Sequence, residues 1–491
     1  MDIAISARRL GSLMNGAARR PAAWYAGFAL YAAGVALFSG RGLDRWWGIW
    51  AAGGYAVAAA IAIAASRGTR GTRRTGGIQA AALAAAVAGA LAAPLVWLAT
   101  REPITPDSLV VARSGVLLLH HGTPYLQSAQ LTRGGWLAYN PYLPVMAVFG
   151  LPKALGLPGL LADPRPWLAA ATFLVLLAAF KVSGITRIGQ LRVTPLSLAA
   201  LAIASPVMAF PLAEGITDPP VIALTCLVLA LLIRFGGGDW RPAVVLGAVC
   251  AMKYTAWPAL AVLVVMVMVR DGGRAAVRFA ATALGAAIAL TAALAPAGIL
   301  HPAAIVANTV AYPLGLTAAR SPAASPLPGH LLATLGPAGH AAAIALLLAA
   351  GAALVASLKI APPRTPAEAA QRIALGLTAL FALSPATRFG YFCYPLALYG
   401  WVALAGHAAR GSQPVAPSPA EAGSPAEPGL SADPGPSAEP GLSAEPRLWA
   451  EPRLWAEPGL SAEPGPGAEP GTPAEPDAPD RVGHPTTVGA R

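Results

Sequence analysis

The sequence predicts an all-α polytopic membrane protein with about 10–12 transmembrane helices, each needing roughly 20 apolar residues to cross. Three observations lead there. Mean hydropathy is +0.58. Only 11% of the 491 residues are charged, against about 25% in soluble proteins. Several apolar stretches are long enough to cross the hydrocarbon core as helices.

The spans fall near 22–39, 46–66, 77–99, 167–184, 196–213, 218–235, 275–298, 339–359, 372–388 and 391–408. Two stretches are ambiguous. Residues 140–158 are apolar but carry Pro141, Pro144, Pro152 and Pro158, and 244–270 has Lys253 and Pro258 in its middle. Basic loops orient a polytopic chain toward the cytoplasm. The strongest are 67–74, 181–192, 270–278 and 359–372. Putting all four on one side requires that 140–158 does not cross and that 242–269 forms a hairpin of two short helices breaking near Lys253 to Pro258. Asp107, Glu214, Asp218, the loop 299–338 and Arg388 then share the opposite, extracytoplasmic side. The expected location is a cell membrane, with the site outside and the C-terminal tail in the cytoplasm.

Charge separates two regions. Residues 1–410 carry 30 Lys and Arg against 10 acids, and 411–491 carry 4 Arg against 12 acids. The basic excess lies in short loops between spans and orients the protein, so it is no nucleic-acid footprint. In the tail, an acid recurs every six residues from Glu427 to Glu475, preceded by Ala and followed by Pro. Proline in each repeat forbids a regular helix or central strand, and little apolar surface is available to offset ordering entropy. The expected organisation is a membrane domain over 1–410 and a disordered repeat tail over 411–491. Cys226, Cys250 and Cys393 lie in or beside apolar runs without metal-ligand spacing and read as packing residues.

Acids are so scarce in 1–410 that one placed just outside a span invites a functional reading. Asp107 follows the apolar stretch 77–100 and opens Asp107-Ser-Leu-Val-Val-Ala-Arg-Ser-Gly-Val, which continues to His120-His-Gly-Thr-Pro-Tyr125. Tyr139-Asn-Pro-Tyr-Leu-Pro144 comes next. Further along stand Glu214-Gly-Ile-Thr-Asp218-Pro-Pro and Ala251-Met-Lys253-Tyr. Ser384-Pro-Ala-Thr-Arg388 separates the last two spans. Glu214 and Asp218 are two carboxylates four residues apart at a span end, able to hydrogen-bond a polar ligand, although Asp218 before two prolines also suits a helix cap. Lys253 must snorkel, pair or line a cavity. Arg388 can clamp a phosphate or snorkel to headgroups. The loop around His330 is long enough to be a lid or acceptor loop.

In order and spacing these elements resemble the membrane-embedded GT-C glycosyltransferases, in particular glycosyltransferase family 87, the polyprenol-phosphate-mannose-dependent mannosyltransferases. The resemblance rests on Asp107, Gly122-Thr-Pro-Tyr125, Tyr139-Asn-Pro141, the Glu214–Asp218 unit, Lys253 and the Ser384–Tyr391 loop. It departs from the family at Val111, where a Tyr is common, and at the interrupted Pro pair. It implies a GT-C-like helical bundle and transfer of a hexose, mannose by resemblance, from a polyprenyl-phosphate sugar to a lipid or glycan acceptor hydroxyl, with inversion. Asp107 is then the general base. Glu214, Asp218, Tyr125, Tyr139, Arg388, Lys253 and His330 are the substrate-binding candidates. No metal or cofactor is expected, because a lipid monophosphate leaving group does not demand one. A transporter or flippase-like protein for a lipid-linked or polyol substrate is the competing reading, since broken helices and intramembrane polar residues suit it too.

Overall fold

A computed structural model describes residues 21–67, 72–131, 133–188, 191–297 and 302–411. Residues 1–20, residues 68–71 of the basic loop 67–74 and the repeat tail beyond 411 lie outside the described residues. The protein is an all-α polytopic membrane protein. Among the described residues, eight helices are long and apolar enough to cross a bilayer, or nine if one bent pair counts as a single span. They are α1 (Pro21–Phe38), α2 (Gly42–Arg67), α3 (Gly76–Arg101), α5 (Pro164–Ser183), α8 (Asp218–Phe235), α10 with its preceding turn (Tyr254–Asp271), α11 (Gly273–Leu294) and α13 (Pro337–Ile360). Between them lie α4 (Pro106–His121), α6 (Pro195–Ala204), α7 (Pro206–Glu214), α9 (Trp240–Cys250) and α12 (Pro302–Ala311). The last two helices are α14 (Pro366–Leu383) and α15 (Cys393–Gly411). A two-stranded hairpin, Arg187–Ile188 with Leu191–Arg192, follows α5.

The count is below the expected ten to twelve for local reasons. α14 carries Glu368 and Arg372 in its first two turns and stops before the Ser384-Pro385 step, which leaves a short apolar run. Among the described side chains, which end at Leu404, the last apolar helical stretch is Phe389–Leu404, within a helix that runs to Gly411. The expected span at 196–213 is real but bent by 67°. Pro206 lacks a backbone N–H and drives Ser205 into an extended conformation (φ −67°, ψ 144°).

Burial sorts the spans. α8 is central, with Val221, Ile222, Ala223, Val228, Leu229 and Leu232 all buried, and Asp218 buried at its start. α13 is peripheral and presents Leu348, Val355 and Ile360 outward. In a span, such an outward apolar face is the lipid face. Cys226, Cys250 and Cys393 are free thiols packed in the core, as expected.

Both ambiguous stretches resolve. Residues 140–158 form a 3-10 turn, Pro144–Gly150, and one short turn of helix, Leu151–Ala154, with no helix long enough to cross. The 244–270 stretch breaks after Cys250, with Lys253 extended (φ −158°, ψ 142°) and a 3-10 turn over Tyr254–Ala256. Only the first arm is short, since Tyr254–Asp271 reaches 18 residues. The Gly237 N–H donates to Asp271 Oδ2 at 2.8 Å, so the start of α9 and the end of α10 share one face. The carbonyls freed at the break are taken up by the proline-broken stretch. Leu143 N–H donates to the Met252 carbonyl at 2.9 Å, and Val145 N–H to that of Ala251 at 3.0 Å. Non-helical backbone is tolerated at membrane depth only when protein satisfies it in this way.

The proline-broken stretch is held against α4 by a glycine contact. A Cβ on Gly150 would lie 2.1 Å from the Val111 carbonyl oxygen, and one on Gly115 would lie 2.1 Å from the Gly150 carbonyl carbon. Gly150→Ala is therefore expected to destabilise the detergent-solubilised protein by about 1–3 kcal/mol, the usual cost of overpacking. Gly53→Ala, which meets nothing within 4 Å, is the control for the same melting measurement. Equal melting temperatures for the two variants would mean that the contact is not tight.

Candidate functional site

The first turn of α4 presents Asp107. Thr105 caps the helix by accepting from Ser108 N–H, and Pro106 starts it, both standard N-terminal chemistry. A carboxylate in that turn is favoured by the helix dipole. The same residues fasten α4 to the end of α7. The Thr105 hydroxyl donates to the Glu214 carbonyl and the Ser108 hydroxyl to the Gly215 carbonyl, each at 2.9 Å. Gly215 sits at φ +78°, and a Cβ there would strike Arg165 Cγ and Ser108 Oγ, so the junction admits only glycine.

Both oxygens of Asp107 are engaged. Arg388 Nη1 donates to Oδ2 at 3.0 Å, and the Tyr142 hydroxyl donates to Oδ1. Asn140 delivers Tyr142. Its Oδ1 accepts from Tyr142 N–H at 3.0 Å, while its Nδ2 donates to Ser114 Oγ at 2.9 Å and the Pro124 carbonyl at 3.1 Å. Its own N–H donates to Asn308 Oδ1 at 2.8 Å. Arg388 is delivered by an extended contact between two loops. Thr387 N–H donates to the Ala323 carbonyl at 2.9 Å, and Ser325 N–H to the Thr387 carbonyl at 3.0 Å.

A second ion pair lies behind the first. Lys253 Nζ donates to Asp218 Oδ1 and, at 3.3 Å, to Thr217 Oγ1. The ammonium also sits 5.4 Å from the Tyr142 ring centre and 5.5 Å from that of Tyr391, within cation–π range. Asp218 thus serves as the lysine's counter-ion, not as a helix cap, and its Oδ2 has no hydrogen-bond partner. The Asp218 side chain is 1% exposed, whereas Asp107 is 17% and Arg388 32% exposed. The cluster therefore opens at Asp107–Arg388 and closes at Asp218.

The charges set the protonation states. Burial alone would raise the Asp107 carboxyl, but Arg388, the Tyr142 hydroxyl and Lys253 outweigh it and hold the group below the usual carboxylate range. Burial would lower Arg388, yet Asp107 keeps it above the ordinary guanidinium value. Burial, and then Asp107, push the Tyr142 phenol well up, so it remains a donor. Two carboxylates and two cations leave the cluster formally neutral.

Four of the residues picked from the sequence meet here: Asp107, Asp218, Lys253 and Arg388. Tyr125 and His330 stand one layer out. The Tyr125 hydroxyl donates to the Tyr142 carbonyl at 2.9 Å, and His330 Nδ1 lies 2.9 Å from the Pro385 carbonyl oxygen. Tyr139 stacks on Tyr312, with ring centres 4.5 Å apart. The Glu214 side chain turns away toward Arg41 Nη2, 3.5 Å distant, and only its carbonyl reaches the Asp107 helix. Tyr142, Thr217 and Tyr391 belong to the cluster although sequence reading assigned them no role. Tyr142 lies in the quoted Tyr139–Pro144 string, the one signal that marks it. Among the described residues no group of three or more His, Cys, Asp or Glu side chains stands together as a metal site would require. Comparison with known protein families, with curated proteins and with solved structures found no match to this chain.

Proposed function

We propose that the protein transfers a hexose from a polyprenyl-phosphate sugar to an acceptor hydroxyl at the extracytoplasmic face of a cell membrane. The observation that carries this reading is the half-open Asp107–Arg388 pair backed by Lys253–Asp218. A membrane enzyme working on a lipid phosphate needs a base for the hydroxyl and cations for the leaving group, side by side at a span end. The GT-C resemblance supports mannose as the sugar and a bundle of that architecture.

In this reading the acceptor oxygen attacks the anomeric carbon and its proton passes to Asp107. The bond from that carbon to the phosphate oxygen breaks with inversion. The polyprenyl phosphate leaves as an anion held by Arg388, with Lys253 behind it. A donor phosphate that draws Arg388 to itself also loosens the guanidinium from Asp107, so donor binding makes the carboxylate a stronger base.

The direct test is product formation by membranes containing the protein, supplied with radiolabelled polyprenyl-phosphate mannose and glucose. Transfer to neither lipid nor glycan would remove the reading. One observation favours a second one: α7 is bent from α6, α9 is broken from α10, and the paired Lys253 and Asp218 lie beside those irregular ends. Discontinuous helices around a polar pair also occur in transporters. Donor-dependent substrate movement across proteoliposomes without turnover would favour it.

Orientation has its own test. Cysteines replacing His121 and Phe389, both exposed, are expected to react with a membrane-impermeant thiol reagent in intact cells when Cys226, Cys250 and Cys393 are absent. A cysteine replacing Arg274 is expected to react only after lysis. The reverse pattern would place the site in the cytoplasm.

A further inference from the structure

α5 and α8 pack side by side, and both end at the face opposite the Asp107 cluster, about 27 Å along α8 from Asp218 by helix rise. Between their ends lies a cleft of about 390 Å³ lined by Lys181, Val182, Ser183, Gly184, Arg234 and Phe235. The Lys181 and Arg234 side chains have no ion-pair or hydrogen-bond partner among the described residues. Among the described residues, the nearby acids Asp239 and Asp271 pair with Arg241 and Arg270, and Glu368 accepts from the Arg364 N–H.

A second observation comes from the hairpin that follows α5. Its register sets Arg187 directly opposite Arg192, both exposed. Like charges directly opposite across two strands are destabilising, and neither has an acidic partner among the described residues. A two-residue strand pair has little else to offset the repulsion, and an anion beside the two guanidinium groups would relieve it. Positive loops alone would orient the chain without any cleft. Here Lys181 and Arg234 flank a concavity of headgroup size with apolar walls at Val182 and Phe235, at the ends of two spans.

We propose that this cleft, together with the Arg187–Arg192 pair, binds the phosphate of an anionic phospholipid headgroup, with the acyl chains lying along the outward faces of α5 and α8. Basic pockets between transmembrane helices are suited to such headgroups.

The test uses the full chain in detergent micelles and native mass spectrometry with equal amounts of phosphatidylglycerol and phosphatidylcholine. Wild type is expected to retain phosphatidylglycerol at least about tenfold over phosphatidylcholine, from two or more cations near the phosphate. The Lys181→Gln/Arg234→Gln protein should lose that preference to within about twofold, and Arg187→Gln/Arg192→Gln should weaken it. Arg274→Gln/Arg278→Gln removes two exposed cations elsewhere on the chain and should leave it intact. Melting temperatures in phosphatidylcholine alone check that all variants are folded. Equal retention of both lipids by wild type, or equal loss in the Arg274/Arg278 control, overturns the proposal. Protection by inorganic phosphate equal to that by the lipid would make the ligand a soluble phosphate and overturns the lipid assignment as well.

Discussion

Asp107→Asn is expected to cut sugar transfer by about 10²–10⁴-fold, the usual contribution of a general base, with the protein still inserted and folded. The amide oxygen can keep accepting from Arg388, and the amide NH2 can donate to the Tyr142 hydroxyl in place of accepting from it, so the change removes the basic oxygen and its charge while keeping the shape. The measurement is initial rate with saturating donor, alongside the melting temperature. A rate within a few-fold of wild type would end the role of Asp107 as base. Arg388 sharpens the prediction through pH. The pair holds the Asp107 carboxyl below its usual range, so the carboxylate persists as pH falls through the ordinary carboxylate region. The acid limb of kcat/KM, which reports the free enzyme, should therefore lie below that region. In Arg388→Gln the strongest lowering influence is gone, and the limb should move to higher pH.

Lys253→Met is expected to be the most destabilising single change at the site. It leaves Asp218 buried, 1% exposed, with one oxygen already unpartnered and the other newly so. Breaking a buried pair from one side costs about 3–5 kcal/mol, whereas replacing both partners by apolar groups is often near neutral. Lys253→Met/Asp218→Leu should therefore melt closer to wild type than Lys253→Met alone. If the single variant melts like wild type, the pair is not buried in the membrane-embedded protein. Activity adds a second readout, because a restored melting temperature without restored turnover would separate the pair's structural role from its contribution to phosphate binding.

Much of the fold could be read from residue chemistry along the chain. Long apolar runs mark spans because the bilayer imposes a length. Lys253 followed by Pro258 marked a break because neither belongs inside a helix surrounded by lipid. Asp107, Asp218, Lys253 and Arg388 stood out because charge is rare in such a chain, and all four meet. What could not be read was partnership across distance. Glu214 carries the same rarity, but its side chain is claimed by Arg41 from the first hairpin, 173 residues away. Tyr142 looked no different from Tyr125 or Tyr139 along the chain, and only Asn140, which gathers Ser114, Pro124 and Asn308, aims it at Asp107. The end of one span was also hidden, because the apolar run over 372–388 reads on past Ser384-Pro385, at which α14 ends.

The two backbone hydrogen bonds from Leu143 and Val145 to the α9–α10 break carry a consequence for biogenesis. The ribosome delivers the proline-broken stretch about a hundred residues before the carbonyls of Ala251 and Met252 emerge. Those carbonyls have no partner in their own helix and face a medium without water, where an open carbonyl costs several kcal/mol. The expected order of insertion therefore has the earlier stretch in place as a template before the later one arrives. Moving 140–158 to the C-terminus by circular permutation should leave every span intact and still stall insertion at α9. Protease accessibility of 240–271 during synthesis into membranes would report the stall.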